Sequence, residues 1–146
     1  MNYTWHNTNY SDKIYFDTDD LLLKALQYPS LKLGYRRCMM DIESLIKKQI
    51  SENAVILYMK GTPQFPQCGF SARTVEALMQ IGEPFAYVNI LENPDIRATL
   101  PKIANWPTFP QLWIKGELIG GCDIVLEMTQ KGELAPLVKE AAQKAE

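Results

Sequence analysis

From about residue 41 onward, apolar residues follow two alternating rhythms: every third or fourth position, then short unbroken runs. Ile42, Leu45, Ile46 and Ile50 lie three and four apart, which predicts a helix with Asp41 as its cap. Ala54-Val55-Ile56-Leu57-Tyr58-Met59 is a continuous apolar run, the pattern of a strand buried on both faces. Gly61-Thr62-Pro63-Gln64-Phe65-Pro66-Gln67 interrupts it with a loop. After Cys68, a second helix turns Ala72, Val75, Leu78 and Met79 to the core and stops near Gly82, with Pro84 beyond. Phe85 to Ile90 reads as a second strand. Asn93-Pro94-Asp95 opens a third helix with proline near its first position, and Pro101 is expected to kink or end it. Pro110 to Ile114 and Leu118 to Ile119 form a hairpin around Lys115-Gly116-Glu117. From Asp123 the chain is helical again, with Ile124, Val125, Leu126 and Met128 apolar, until Gly132 separates off a last helix. The order α-β-α-β-α-β-β-α predicts an α/β sandwich, in which a βαβ unit and a hairpin share one sheet covered by helices.

Residues 1–40 lack this sustained alternation. Five of the seven tyrosines (Tyr3, Tyr10, Tyr15, Tyr28, Tyr35) and the only histidine, His6, fall in this segment. Leu21 to Leu26 offers a helical turn or two. The apolar run is too short for a secretory signal, and Asp12, Asp17, Asp19 and Asp20 argue against a mitochondrial transit peptide. Met39-Met40 stands immediately before the clean helix start. The expectation is an N-terminal extension of unknown order over residues 1–40, of the kind an upstream start codon adds, and a single domain over residues 41–146.

Composition narrows the function. A formal net charge of −2 gives no basic footprint for nucleic acid and no polybasic patch for a membrane surface. No apolar run approaches the roughly 20 residues that span a bilayer. Three cysteines at wide spacing, Cys38, Cys68 and Cys122, do not make a disulfide framework and point to a reducing compartment, the cytoplasm. Together with His6 they have no ligand spacing that fits zinc.

Cys68 is the sharpest candidate for chemistry. It follows a proline-containing loop and sits where a helix begins, so unpaired N–H groups face it and stabilise a thiolate. Lys60, at the end of the preceding strand, adds a full positive charge. The alternative is a buried, inert cysteine. In Cys68-Gly69-Phe70-Ser71 the place of a second, resolving thiol is taken by Ser71, so a thiol that releases a mixed disulfide must come from elsewhere. Thr108-Phe109-Pro110 opens a strand after a helix. X-Pro bonds are cis in only about 5–6% of cases, so the residues by themselves favour trans. Gly120-Gly121-Cys122-Asp123 places two glycines before a helix start, which suits a bound carboxylate or, more plainly, a turn capped by Asp123. Cys122 is either a packed small residue or a second reactive thiol.

The strings Lys60-Gly61-Thr62-Pro63, Pro66-Gln67-Cys68-Gly69-Phe70-Ser71, Trp106-Pro107-Thr108-Phe109-Pro110-Gln111 and Gly120-Gly121-Cys122-Asp123 occur in this order. In combination the chain resembles the CGFS-type monothiol glutaredoxins, close to the single-domain bacterial form, over about residues 41–146. The first 40 residues depart from that short form. The resemblance implies a thioredoxin-like fold with a central four-stranded mixed sheet flanked by helices. It also implies a cis bond before Pro110, glutathione binding, and a [2Fe-2S] cluster bridging two protomers as a homodimer. Carried over by position, Lys60 and Arg97 would hold the glycyl carboxylate of glutathione, and the Phe109 backbone would pair with its cysteinyl unit beside Cys68. The N–H groups at Cys122 and Asp123 would take the γ-glutamyl carboxylate, and the Asp123 side chain its ammonium. Without the resemblance, Arg97 reads as a solvated charge on a helix.

Cluster stoichiometry then follows by counting. Two bridging sulfides leave four external ligand positions on two irons. One Cys68 and one glutathione from each of two protomers fill them. The leading expectation is therefore a carrier that hands iron–sulfur clusters to apo acceptor proteins, with BolA-like proteins as further partners. The alternative is a glutathione-dependent thiol-disulfide oxidoreductase that removes glutathione from protein thiols, with Cys68 as nucleophile.

Overall fold

The computed structural model describes residues 6–7 and 42–144. Strand β1 is His6–Asn7, α1 Ile42–Glu52, β2 Val55–Met59, α2 Gly69–Ile81, β3 Ala86–Asn89 and α3 Pro94–Ala104. The hairpin β4 Gln111–Ile114 and β5 Glu117–Gly120 follows, then α4 Cys122–Gln130 and α5 Leu134–Lys144. Asp41, Cys38 and the Leu21 to Leu26 stretch lie outside the described residues.

All five residues of β2 are buried. Successive side chains on a strand point to opposite faces, and β2 divides accordingly. Val55, Leu57 and Met59 pack with Val75 and Leu78 of α2, Val125 of α4, and Leu134 and Val138 of α5. Ile56 and Tyr58 pack on the other face with Ile46 and Ile50 of α1 and Ile96 and Leu100 of α3. The result is a mixed sheet between two helical layers. β3 runs parallel to β2, while β4 runs antiparallel to β2 and β5 antiparallel to β4. The predicted four strands and their flanking helices are all present. A fifth, two-residue strand adds to them: β1 pairs parallel to β3, with His6 opposite Ala86 and Asn7 opposite Tyr87. β3 would otherwise be the sheet's edge, where backbone hydrogen-bonding groups lack partners.

Two local expectations need correction. Pro101 does not end the helix, because α3 continues through it to Ala104. A proline inside a helix costs ~3 kcal/mol, but Leu100 is fully buried and Ile103 and Ala104 pack on the same core beyond it. That burial is of comparable size. The helix ends instead at Asn105, in the left-handed region at φ 49°. The second correction concerns Asp123. Gly121 occupies the cap position of α4, and Asp123 lies inside the first turn.

The hairpin turn at Lys115 and Gly116 has φ 51° and 82°, the pair of positive values that a tight two-residue connection requires. Lys115 also pairs with Glu140 of α5 at 2.7 Å. With Lys144 it holds the Glu140 carboxyl down to about 2. No helix among the described residues is long and apolar enough to cross a membrane.

Tyr58 is wholly buried at the centre of the sheet, and its hydroxyl donates to Gln49 Oε1 at 3.0 Å. Burial raises its phenol well above the ordinary value. A group whose folded pKa is raised contributes stability that is complete below the unfolded pKa of about 10 and is lost as pH rises beyond it. We therefore predict that wild type loses stability above about pH 10 more steeply than Tyr58→Phe. At neutral pH the variant should be less stable by ~1 kcal/mol, the worth of one hydrogen bond. Denaturant midpoints at neutral and alkaline pH check both statements.

Candidate functional site

Sheet register brings the site together. Met59 at the end of β2 lies opposite Asn89 at the end of β3, and Tyr58 lies opposite Gln111 at the start of β4. Leu112 lies opposite Gly120 at the end of β5. Four chain segments therefore leave or enter the sheet at one edge: Lys60 onward, Asn89 onward, the approach to Pro110, and Gly120-Gly121. A cleft of about 610 Å³ opens there. Its walls include Lys60, Cys68, Arg97, Phe109, Cys122 and Asp123, so every residue singled out as a glutathione contact meets the candidate thiol at one place.

Cys68 is the cap residue of α2, with extended backbone at φ −147° and ψ 138°. It is partly exposed, and its thiol is free. The backbone N–H groups of Ser71 and Phe70 point to its sulfur and hold its pKa below the ordinary thiol value, and the Lys60 ammonium adds to this; partial desolvation acts the other way. Cys68 is therefore not buried, as the inert alternative would have it. Cys122 is different: it is 6% exposed and packed at the first position of α4. Cys38 lies outside the described residues.

The loop that delivers Cys68 depends on Gly61. This residue sits at φ 90°, and a Cβ there would lie 2.4 Å from the Phe65 carbonyl oxygen and 2.8 Å from the Gln67 nitrogen. The chain turns back on itself so closely that Gln67 N–H donates to Lys60 O at 2.9 Å, with Thr62 and Phe65 exchanging backbone bonds inside the turn. Asn89 secures the base: its Oδ1 accepts from Gly61 N–H at 2.9 Å and from Leu91 N–H at 3.1 Å.

The opposite wall is built around Phe109-Pro110, whose peptide bond is cis. The resemblance implied this bond, against what the residues alone favoured. Gln111, fully buried, donates from Nε2 to the carbonyls of Trp106 and Thr108 at 3.0 and 3.3 Å, tying down the segment before the proline. At the end of β5, Gly120 has φ 143°, and a Cβ there would meet the Ile124 side chain at 2.9 Å. Its absence lets α4 start against the cleft.

Residue-by-residue reading of the sequence missed Asn89, Gln111 and Trp106 as parts of this site. Asn89 and Gln111 carried a weak signal, as polar residues within apolar strand runs. Trp106 carried none beyond its place in a motif. Among the described residues, its Nε1 is the buried side-chain polar atom that lacks a hydrogen-bond partner, and it lies in the cleft wall.

The cleft thus offers a thiol with lowered pKa, two cations in Lys60 and Arg97, the anion Asp123, and the first-turn N–H groups of α4. This set suits a small ligand that carries both carboxylates and an ammonium. A partly exposed thiol at a helix start beside a cis-proline, on a mixed sheet between helical layers, defines a thiol protein of thioredoxin-like fold. Within that class the chain belongs to the glutaredoxin family, in its CGFS-type monothiol branch. The glutaredoxin family profile matches residues 55–119. Glutaredoxin 4 of Haemophilus ducreyi is 68% identical over 105 residues, covering 72% of this chain and 98% of that protein. Among solved structures, reduced poplar apo GrxS14 aligns at TM-score 0.60 with 47% identity, covering 68% of this chain and 91% of the other. A crystal structure of a buckwheat glutaredoxin–glutathione complex aligns at TM-score 0.60 with 25% identity, covering 70% and 90%.

The order of the influences on Cys68 yields a prediction. Backbone N–H groups outrank Lys60 in lowering its pKa. Alkylation of Cys68 by iodoacetamide should therefore titrate with a midpoint below about 8.5, and Lys60→Gln should raise that midpoint only slightly. A Lys60→Gln midpoint equal to that of a free thiol would mean that the ammonium, not the helix start, activates the sulfur.

Proposed function

We propose that this monothiol glutaredoxin binds glutathione in the Cys68 cleft and, as a homodimer, carries a [2Fe-2S] cluster as cargo for transfer to apo acceptor proteins. Lys60 and Arg97 take the glycyl carboxylate, the Phe109 backbone pairs with the cysteinyl unit, and the start of α4 at Cys122 and Asp123 takes the γ-glutamyl group. The site lies within residues 41–146. The working compartment is the cytoplasm, and BolA-like proteins are further partners. Glutathione binding has support in the charge pattern of the cleft and in the glutathione complex of the buckwheat relative.

One observation carries the cluster reading. Among the described residues no group of three or more His, Cys, Asp or Glu side chains converges to hold a metal, while one thiolate-prone sulfur stands partly exposed at the cleft. Among the described residues Cys68 is the one partly exposed sulfur, and they hold no complete iron site. Such a protomer fits a cluster whose remaining ligands come from glutathione and a second protomer. Cys68 supplies the soft thiolate, and Lys60, Arg97 and the α4 start hold the glutathione that supplies the other sulfur.

The reductase reading rests on the same lowered thiol pKa. Cys68 attacks a glutathione mixed disulfide, and its sulfur takes over the glutathionyl group as the substrate thiol leaves. A second glutathione then attacks that new disulfide, regenerates the Cys68 thiolate and departs as glutathione disulfide. Without a thiol at position 71, release waits on this bimolecular step.

Two measurements test these readings. After anaerobic reconstitution with iron, sulfide and glutathione, Cys68→Ser should hold no cluster and stay monomeric, since a neutral hydroxyl does not replace a soft thiolate. Cys38→Ser and Cys122→Ser should each keep near one iron per protomer in a dimer that dissociates when glutathione is removed. Iron and sulfide content with gel filtration reads the result. Cluster retention by Cys68→Ser, or its loss in Cys122→Ser, overturns the ligand assignment. Separately, turnover of a small glutathione mixed disulfide should be far slower than that of a Cys-x-x-Cys glutaredoxin assayed alongside, and equal rates would favour the reductase.

A further inference from the structure

Ser71 stands where a dithiol protein carries its second cysteine, and so reads as a mere absence. Its surroundings say otherwise. Ser71 is 0% exposed, and its Oγ accepts a hydrogen bond from the backbone N–H of Lys60 at 3.2 Å. Its own backbone N–H is the largest of the influences that lower the Cys68 pKa. One residue of the first turn of α2 therefore both acts on the Cys68 thiol and holds the segment that bears Lys60.

Lys60 is held on every backbone side. Ser71 Oγ takes its N–H, Gln67 N–H meets its carbonyl at 2.9 Å, and Asn89 Oδ1 takes the N–H of the next residue, Gly61. A lysine side chain is long and flexible, so its ammonium is placed no better than the backbone it leaves from. Of the three ties, the one from Ser71 alone connects Lys60 directly to the helix that begins at Cys68.

We propose that Ser71 is a positioning residue: its buried hydroxyl fixes the Lys60 backbone so that the Lys60 ammonium reads the glycyl carboxylate of glutathione bound beside Cys68. Replacing this serine by cysteine then does two things at once. It supplies a thiol, and it weakens the tie to Lys60, because sulfur is a weak acceptor. The inference rests on the glutathione reading above, with Lys60 as a carboxylate contact.

The test compares reduced glutathione with its glycyl ethyl ester, by calorimetric titration into the full chain, wild type, Lys60→Gln, Ser71→Ala and the double variant. Wild type should prefer the free acid by on the order of tenfold, the worth of one charge-assisted hydrogen bond. Lys60→Gln should cut that preference severalfold, leaving the part due to Arg97. Ser71→Ala should cut it to nearly the same level, and the double variant should go no lower than Lys60→Gln, because the two act through one ammonium. General loosening of the fold weakens acid and ester alike and leaves their ratio unchanged, so an unchanged ratio in Ser71→Ala overturns the proposal. If wild type binds neither form, the glutathione reading fails and this inference with it. If wild type discriminates and Lys60→Gln does not alter the ratio, Lys60 is not the reader and the inference fails alone. Should Ser71→Ala not fold, Ser71→Cys held reduced keeps the volume and should show the same shift at smaller size.

Discussion

β2 is buried along its whole length on both faces, and the rest of the molecule arranges itself around that constraint. A strand with apolar side chains on both sides needs a helical layer above and another below, and its backbone needs a paired strand on each side. α2, α4 and α5 cover one face, α1 and α3 the other, and β3 and β4 pair with β2 on either side. The strand then ends abruptly. Met59 is fully buried, while Lys60, the next residue, is only partly so, and Gly61 turns the chain away at a backbone angle that suits glycine. Cys68 is placed by where β2 stops.

The reactive edge reflects that ending. It is assembled from strand termini, where backbone N–H groups and carbonyls run out of sheet partners and must be satisfied in other ways. Asn89, Gln111 and Ser71 do this with buried side chains, each accepting from or donating to the backbone of a neighbouring segment. The polar residues least conspicuous in the sequence thus set the shape of the loops that carry the conspicuous ones. The thiol gains from this, because the N–H groups that lower its pKa belong to a helix start held in place by the same ties.

Among the described residues, the exposed large apolar side chains gather at this edge as well. Phe65 is 75% exposed, Phe70 55% and Leu91 45%. Phe70 lines the cleft, Phe65 rides the loop before Cys68, and the Leu91 N–H shares Asn89 Oδ1 with Gly61. Every other large apolar residue among those described is at least partly covered, and of these three Phe70 belongs to the cleft wall itself.

The helices and strands were legible because each must bury a face, and burial writes a period of 3.6 or a solid run into the sequence. Cys68 was legible too, since its place after a loop and before a helix is a local property. Pro101 does not end its helix because its cost is local, whereas the burial that outweighs it belongs to the packed helix. Asp123 was misread because capping depends on where the chain leaves β5, and the cap falls two residues earlier, at Gly121. The cis form of Phe109-Pro110 was favoured by the family resemblance and not by the residues themselves. Residues 60, 68, 97, 109 and 122–123 are far apart in the chain, and no periodicity relates them. Strand register makes most of them neighbours, by lining up the ends of β2, β3 and β5 with the start of β4, and α3 brings in Arg97. The sequence by itself therefore determined the elements, the candidate thiol and the kinds of charge available to it. Only the tertiary structure decided which of those charges meet the thiol, because hydrogen-bond pairing between strands is a long-range contact that leaves no mark in local composition.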